Sequence, residues 1–96
     1  MRIKLSRGFK RTVKRLRANQ KKDLDDAVRT IAADPTTGEA KVGDLAGVRV
    51  HKFPMAKQRV LLAYTLLAYT WDDDSLVLLA LGGHENYYRG LKRQGD

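Results

Sequence analysis

Leu61-Leu62-Ala63-Tyr64-Thr65 is followed at once by Leu66-Leu67-Ala68-Tyr69-Thr70. No other feature of this chain limits its fold as much. A repeating solenoid unit is far longer than five residues, so this is a local duplication. Strand side chains alternate with period two and five is odd, so the second copy faces the opposite way from the first. Two arrangements follow. If the turn around Asp72-Asp73-Asp74 fixes the register, the second copy pairs with Leu76-Val77-Leu78-Leu79-Ala80-Leu81, and the first copy and Arg59 are carried ~16 Å along the strand. If the first copy keeps its place, the extra residues become a bulge, a longer hairpin or a strand exchanged between two chains.

The 96 residues suit one domain, 1–96, with one modest core. Lys and Arg number 19 against 11 Asp and Glu, a formal charge of +8, which points to a polyanionic partner such as nucleic acid or an acidic protein. The chain has no cysteine, which excludes disulfides and thiolate chemistry. Met1-Arg2-Ile3-Lys4-Leu5-Ser6-Arg7 lacks the apolar stretch of a signal peptide, and no run has the length of a membrane span. The expected location is the cytoplasm, away from membranes.

Residues 2–5 alternate polar and apolar, predicting a short first strand. From Phe9 the period becomes helical, with Phe9, Val13 and Leu16 on one face and Lys10, Arg11, Lys14, Arg15 and Arg17 on the other. Asn19-Gln20 suggests a break. A second helix then carries Leu24, Ala27, Val28 and Ile31, with Asp23, Asp25 and Asp26 near its start, where the helix dipole favours carboxylates. It ends before Asp34-Pro35, because a residue preceding proline avoids the helical region. Residues 36–47 read as a loop, 48–53 as a strand and 54–57 as a turn. Residues 58–70 form a long apolar run, 71–75 a turn and 76–81 the last strand, with a short helix possible from His84. The fold class is α+β: an N-terminal helical hairpin packed on a small antiparallel sheet, in the order β-α-α-β-β-β.

The chain then reaches Gly82-Gly83-His84-Glu85-Asn86-Tyr87-Tyr88-Arg89-Gly90-Leu91-Lys92-Arg93, which gathers an imidazole, two phenols and several cations after an apolar strand. Imidazole is the side chain best suited to move protons near neutral pH. Together with Gly43-Asp44-Leu45-Ala46-Gly47-Val48-Arg49-Val50 and Arg59-Val60-Leu61-Leu62-Ala63-Tyr64, this segment resembles the RelE/ParE superfamily of bacterial type II toxins. The resemblance implies a compact toxin held inactive by a cognate antitoxin. In the RelE branch it implies entry to the ribosome and cleavage of mRNA, with no cofactor. In the ParE branch it implies inhibition of DNA gyrase by binding alone. His84 stands where histidine-bearing relatives carry a histidine that takes part in cleavage, and Tyr88 matches an aromatic of the same site. The phosphate-binding role maps onto Arg49, His51 or Lys52, and Arg59. The duplication is the departure, since relatives carry that segment once.

RNA cleavage without a metal needs a base for the 2′-OH, an acid for the leaving 5′-oxygen and cations for the phosphorane charge. His84, Arg59 and Tyr88 are the expected catalytic set. Arg49, His51, Lys52, Lys57 and Arg89 are the expected substrate-binding set. Arg49 and His51 share one strand face, so both can point at one phosphate, with Arg59 offering the guanidinium fork that phosphate favours. Two histidines without a carboxylate cluster argue against a metal site, and Asp72-Asp73-Asp74 lacks the spacing of a calcium loop. Plainer readings stand beside these. A histidine after a strand commonly caps or faces solvent, the basic run from Lys10 to Lys22 can be a solvated helix face, and Tyr64 and Tyr69 suit a core. The expected function is a ribosome-dependent endoribonuclease with an antitoxin, the ribosome and mRNA as partners and a strand-exchanged homodimer as a possible assembly. The alternatives are a gyrase inhibitor and a non-toxic nucleic-acid-binding module.

Overall fold

The computed structural model describes residues 2–68 and 74–83. Strand β1 (Arg2–Leu5) leads into helices α1 (Arg7–Lys14) and α2 (Ala18–Ala33), and strands β2 (Glu39–Ala40), β3 (Arg49–Met55), β4 (Gln58–Ala68) and β5 (Asp74–Gly82) follow. Short 3-10 turns at Pro35–Thr37 and Gly43–Leu45 flank β2. The sheet order is β1-β5-β4-β3-β2.

Ser6 starts α1 by two bonds. Its Oγ accepts from the Phe9 amide at 3.1 Å, the usual capping contact, and donates to the Leu79 carbonyl at 2.8 Å. The helix is thereby tied to β5. The predicted break at Asn19-Gln20 falls elsewhere, at residues 15–17. Gln20 Oε1 accepts from the Arg17 amide at 2.7 Å and Asn19 Oδ1 from the Gln20 amide at 3.0 Å. These polar side chains serve the first turn of α2, where amides lack helical partners. Because α2 starts early, Asp23, Asp25 and Asp26 lie beyond its first turn. Asp25 pairs with Arg29 at 3.1 Å, and Asp23 has a different task, described below. The helix does end before Pro35, where the Asp34 carboxylate accepts from the Thr36 amide and hydroxyl.

The sheet is mixed and not antiparallel. β1 runs parallel to β5, with Ile3 opposite Leu76 and Leu5 opposite Leu78. Every other pairing is antiparallel. The predicted loop at 36–47 contributes an extra edge strand, as Glu39 and Ala40 pair with Val50 and Arg49. Both faces of the sheet's centre are covered. On one face Phe9, Leu24, Ala27 and Ile31 of the helices meet Phe53, Met55, Val60, Leu62, Tyr64, Leu76 and Leu78. On the far face Val50, Leu61 and Ala63 pack with Leu45, Val48, Leu79 and Ala80. This two-sided burial explains the unbroken apolar run Leu61-Leu62-Ala63-Tyr64, which alternation alone would not produce.

Among the described residues the second copy lengthens the β4–β5 ladder, with Leu66, Leu67 and Ala68 paired with Leu76, Ser75 and Asp74. The first copy occupies the core, with Leu62, Ala63 and Tyr64 fully buried, paired with β3 on one side and β5 on the other. β3 begins at Arg49 opposite Tyr64, so β4 overhangs it from Thr65 onward and pairs there with β5. Leu66 and Leu67 of the second copy are 43% and 39% exposed. Arg59 is not carried along the strand and stays opposite Pro54. A bulge near the middle of β5 lies opposite the first copy: Ala63 faces Ala80 while Tyr64 faces Leu78, leaving Leu79 unpaired.

Tyr64 is the keystone of this packing. Its hydroxyl donates to the Pro35 carbonyl at 2.6 Å and accepts from the Gly38 amide at 2.9 Å. A methyl group at Gly38 would lie 2.6 Å from the Tyr64 oxygen and 3.0 Å from the Val50 carbonyl. Gly38→Ala is therefore expected to lower stability by about 1–3 kcal/mol through overpacking, read as a shift in the urea unfolding midpoint at unchanged slope.

Candidate functional site

The register distributes the basic residues of β3 and β4 over two faces. Arg49, His51, Phe53 and Met55 share the helix-bearing face, since Phe53 and Met55 lie in the core beneath the helices. Val50, Lys52 and Pro54 take the far face. On β4, Val60, Leu62 and Tyr64 belong to the helix-bearing side and Arg59, Leu61 and Ala63 to the far side. Arg49 and His51 are thus not brought together with Arg59, and the expected convergence of all three on one phosphate does not occur. Lys52 and Arg59 do come together. Lys52 pairs with Leu61 and Arg59 with Pro54, which makes the two cations diagonal neighbours, ~7 Å apart at their Cβ atoms. Both side chains are exposed.

Arg49 is engaged by the fold. Its Nη1 donates to the Gly38 carbonyl at 2.7 Å and the Thr36 carbonyl at 3.3 Å, bracing the loop that receives the Tyr64 hydroxyl. Asp34 at the same bend has its carboxyl held below the usual range, chiefly by the Thr36 hydroxyl and amide and to a lesser degree by Arg49. His51 stacks on Phe53, with ring centroids 5.8 Å apart and planes 11° from parallel. It borders a groove of about 250 Å³ with Asp23, Asp26, Thr30 and Pro54. Burial pushes its pKa down, so its ring is neutral at pH 7.

Lys57 lies in the two-residue β3–β4 turn, where Ala56 and Lys57 both take positive φ, 51° and 69°. Such a mirror-image turn suits the strand twist but is disfavoured for residues with a Cβ. Asp23 holds it in place: its Oδ2 accepts from the Ala56 amide at 2.8 Å. A helix carboxylate thereby secures the turn that sets Arg59 two residues later. Neither this role of Asp23 nor the clamp by Tyr64 is visible in sequence periodicity. The only local hint is a tight turn that lacks glycine.

The described part of β5 arrives at the same place. Gly82 pairs with Leu61, which lies between it and Lys52 in the sheet. Gly82 and Gly83 border open space. His84, Tyr88 and Arg89 lie outside the described residues. A second feature lies on the helix-bearing side. An apolar groove of about 320 Å³ runs between β1 and the helices, lined by Ile3, Leu5, Phe9, Val13, Leu24 and Val28 among others. Ile3 is 48% exposed and Leu5 36%. Among the described residues β1 pairs with β5 alone. The cations Lys10, Arg11, Lys14, Arg15, Arg17, Lys21 and Lys22 are exposed along α1 and the start of α2. Among the described residues no helix is long and apolar enough to cross a membrane.

The depressed His51 pKa carries a sign. Its folded value lies below its unfolded value of 6.5, so the unfolded chain binds the proton first on acidification. The associated stability is complete above the unfolded pKa and is lost as pH falls toward the folded one. The midpoint of the His51 ring resonances is expected below 6.5 in the folded protein. His51→Gln should flatten the decline of the melting temperature between about pH 7 and 5.

No curated protein and no solved structure matches the chain significantly. A family model does: that of the ParE-like toxin of type II bacterial toxin-antitoxin systems, over residues 3–92. The match spans all the described strands and helices but the first residue of β1, and it implies a cognate antitoxin as partner. The chain belongs to the ParE-like toxin family of type II bacterial toxin-antitoxin systems.

Proposed function

We propose that this toxin is a ribosome-dependent endoribonuclease that cleaves mRNA and so inhibits translation. The observation that carries the reading is the register at the end of β5. Gly82 is paired with Leu61, and the exposed Lys52 and Arg59 flank that position on the far face. The described part of β5 thus ends, at Gly82, in the same row of the sheet as Lys52 and diagonal to Arg59. In this reading Arg59 and Lys52 hold the scissile phosphate, with Lys57 and Arg89 contacting neighbouring phosphates. Arg59 offers the planar fork that matches phosphate oxygens, and Tyr88 stacks on a base.

The reaction needs no metal. The 2′-OH loses its proton to a base, its oxygen attacks phosphorus, and the 5′-oxygen leaves with a proton from an acid. The products are a 2′,3′-cyclic phosphate and a 5′-hydroxyl. His84 serves as base or acid, since its unperturbed pKa lies near the working pH. Arg59 and Lys52 stabilise the charge that grows on the phosphorane oxygens. Arg49 and His51 face the other way in this scheme and act through the fold. The antitoxin lays an acidic, partly disordered segment along the basic surface, and the apolar groove beside β1 offers its hydrophobic side chains a seat.

A second reading is favoured by the family description itself, which names ParE: inhibition of DNA gyrase by binding, without catalysis. The two separate in a paired assay. In a reconstituted translation reaction the protein should generate new mRNA ends by primer extension. His84→Ala should lower that cleavage about 10²–10⁴-fold, as expected for a lost general acid or base. Arg59→Ala should lower it about 10²–10³-fold. Inhibited supercoiling by purified gyrase, with no new mRNA ends, would transfer the assignment to the second reading.

A further inference from the structure

An odd slip of a strand ordinarily turns every side chain to the wrong face. Here a slip of five lays Leu66-Leu67-Ala68-Tyr69-Thr70 onto the positions of Leu61-Leu62-Ala63-Tyr64-Thr65, and each position regains the side chain it had. These are the most demanding positions of the sheet. Leu62, Ala63 and Tyr64 are fully buried and Leu61 nearly so, and the carbonyl of Pro35 and amide of Gly38 await a phenol there. We propose that β4 occupies two registers five residues apart, and that the slipped register withdraws Arg59 from the sheet.

The slip has costs and gains. Slipping puts Thr65 where Val60 is now buried and breaks the bond from the Ala56 amide to Asp23. Against this, the left-handed conformations of Ala56 and Lys57, imposed by the two-residue turn, are released. That turn gains five residues, and the β4–β5 ladder loses at least its last pair, Ala68 with Asp74, because Asp73 would otherwise stand opposite its own neighbour. Leu66 and Leu67 enter the core as Leu61 and Leu62 leave it. Repeats of this kind weaken the usual specification of register, which rests on a one-way match between pattern and core.

The functional consequence rests on the reading of Arg59 as a phosphate-binding residue. After the slip Tyr64 stands in the position of Arg59, and the guanidinium moves into the widened β3–β4 loop. Lys52 loses its diagonal cation. RNA that contacts Arg59 binds the unslipped register and draws the population toward it by its differential affinity. The toxin alone spends part of its time without that cation.

Two substitutions separate the registers. Leu67 is partly exposed in the register described above and would be fully buried in the slipped one, so Leu67→Lys should fold normally and remove the slipped state. Leu62→Lys should do the reverse: it buries a charge in one register and places it in a loop in the other. Chemical-exchange saturation transfer on the parent should show a minor state that Leu67→Lys abolishes. The full chain carrying Leu62→Lys should remain folded and be cut by trypsin within residues 57–62 about tenfold or more faster than the parent, following the open population. The same substitution in a chain lacking 66–70 should unfold it. The proposal is overturned if the parent shows no exchange that Leu67→Lys suppresses, or if Leu62→Lys unfolds the chain with and without the repeat. None of these measurements involves RNA, so a failed register model leaves the nuclease reading standing, and a failed cleavage assay leaves the registers standing.

Discussion

The phenol of Tyr64 is the interaction on which the rest depends. It sits with no exposure in the middle of β4 and satisfies a carbonyl and an amide from a loop almost thirty residues earlier. A buried donor or acceptor left unpaired costs about 1–3 kcal/mol, so any register that removes the hydroxyl leaves two backbone groups at that cost. This demands a tyrosine of β4 opposite Arg49, and through the ladder the tyrosine that fills the place sets every pair down to the β3–β4 turn. Arg49 reinforces the same loop from outside. The positions of Arg59 and Lys52 are thus decided at the other end of the strands, by a tyrosine that touches neither.

A second constraint is that the sheet is buried on both faces by unequal covers. The helices shield one side broadly, while on the other the Leu45 and Val48 segment covers only the upper part of β3 and β4. The lower part is left to Lys52, Pro54 and Arg59, all exposed. That exposed patch adjoins Gly82, the last residue of β5.

Much of the fold was legible. Helical period and capping chemistry mark α1 and α2, and the proline after Asp34 marks the end of α2. The long apolar run and the last strand are evident from composition. The break between the helices was misplaced because Asn19 and Gln20 look like loop residues when they are capping ones. The parallel pairing of β1 with β5 leaves no local trace, since it joins segments some seventy residues apart. The facing of Arg49, His51 and Arg59 depends on the number of residues in the β3–β4 turn, and that turn is built from Ala56 and Lys57 with a carboxylate from a distant helix. Composition cannot show such a contact. The chemistry expected of His84, Tyr88 and Arg89 comes from the resemblance and the sequence, as those residues lie outside the described ones.

The bulge at Leu79 bears on how this chain tolerates changes of length. Leu79 and Ala80 both join the far-face cluster, so Leu81 and Gly82 stand out of phase with residues 74–78. Ser6 anchors the odd residue by its carbonyl. Deleting this one residue would straighten the ladder and leave every pair beyond it in place, with Ala80 still opposite Ala63 and Leu81 still opposite Leu62. Losing Ala80 as well would turn Leu81 from the helices and swing the exit of the chain to the opposite side of the sheet. Five residues added at the hairpin tip change only how far it projects. In this protein the size of an insertion or deletion matters less than whether it falls where the strands are still counting.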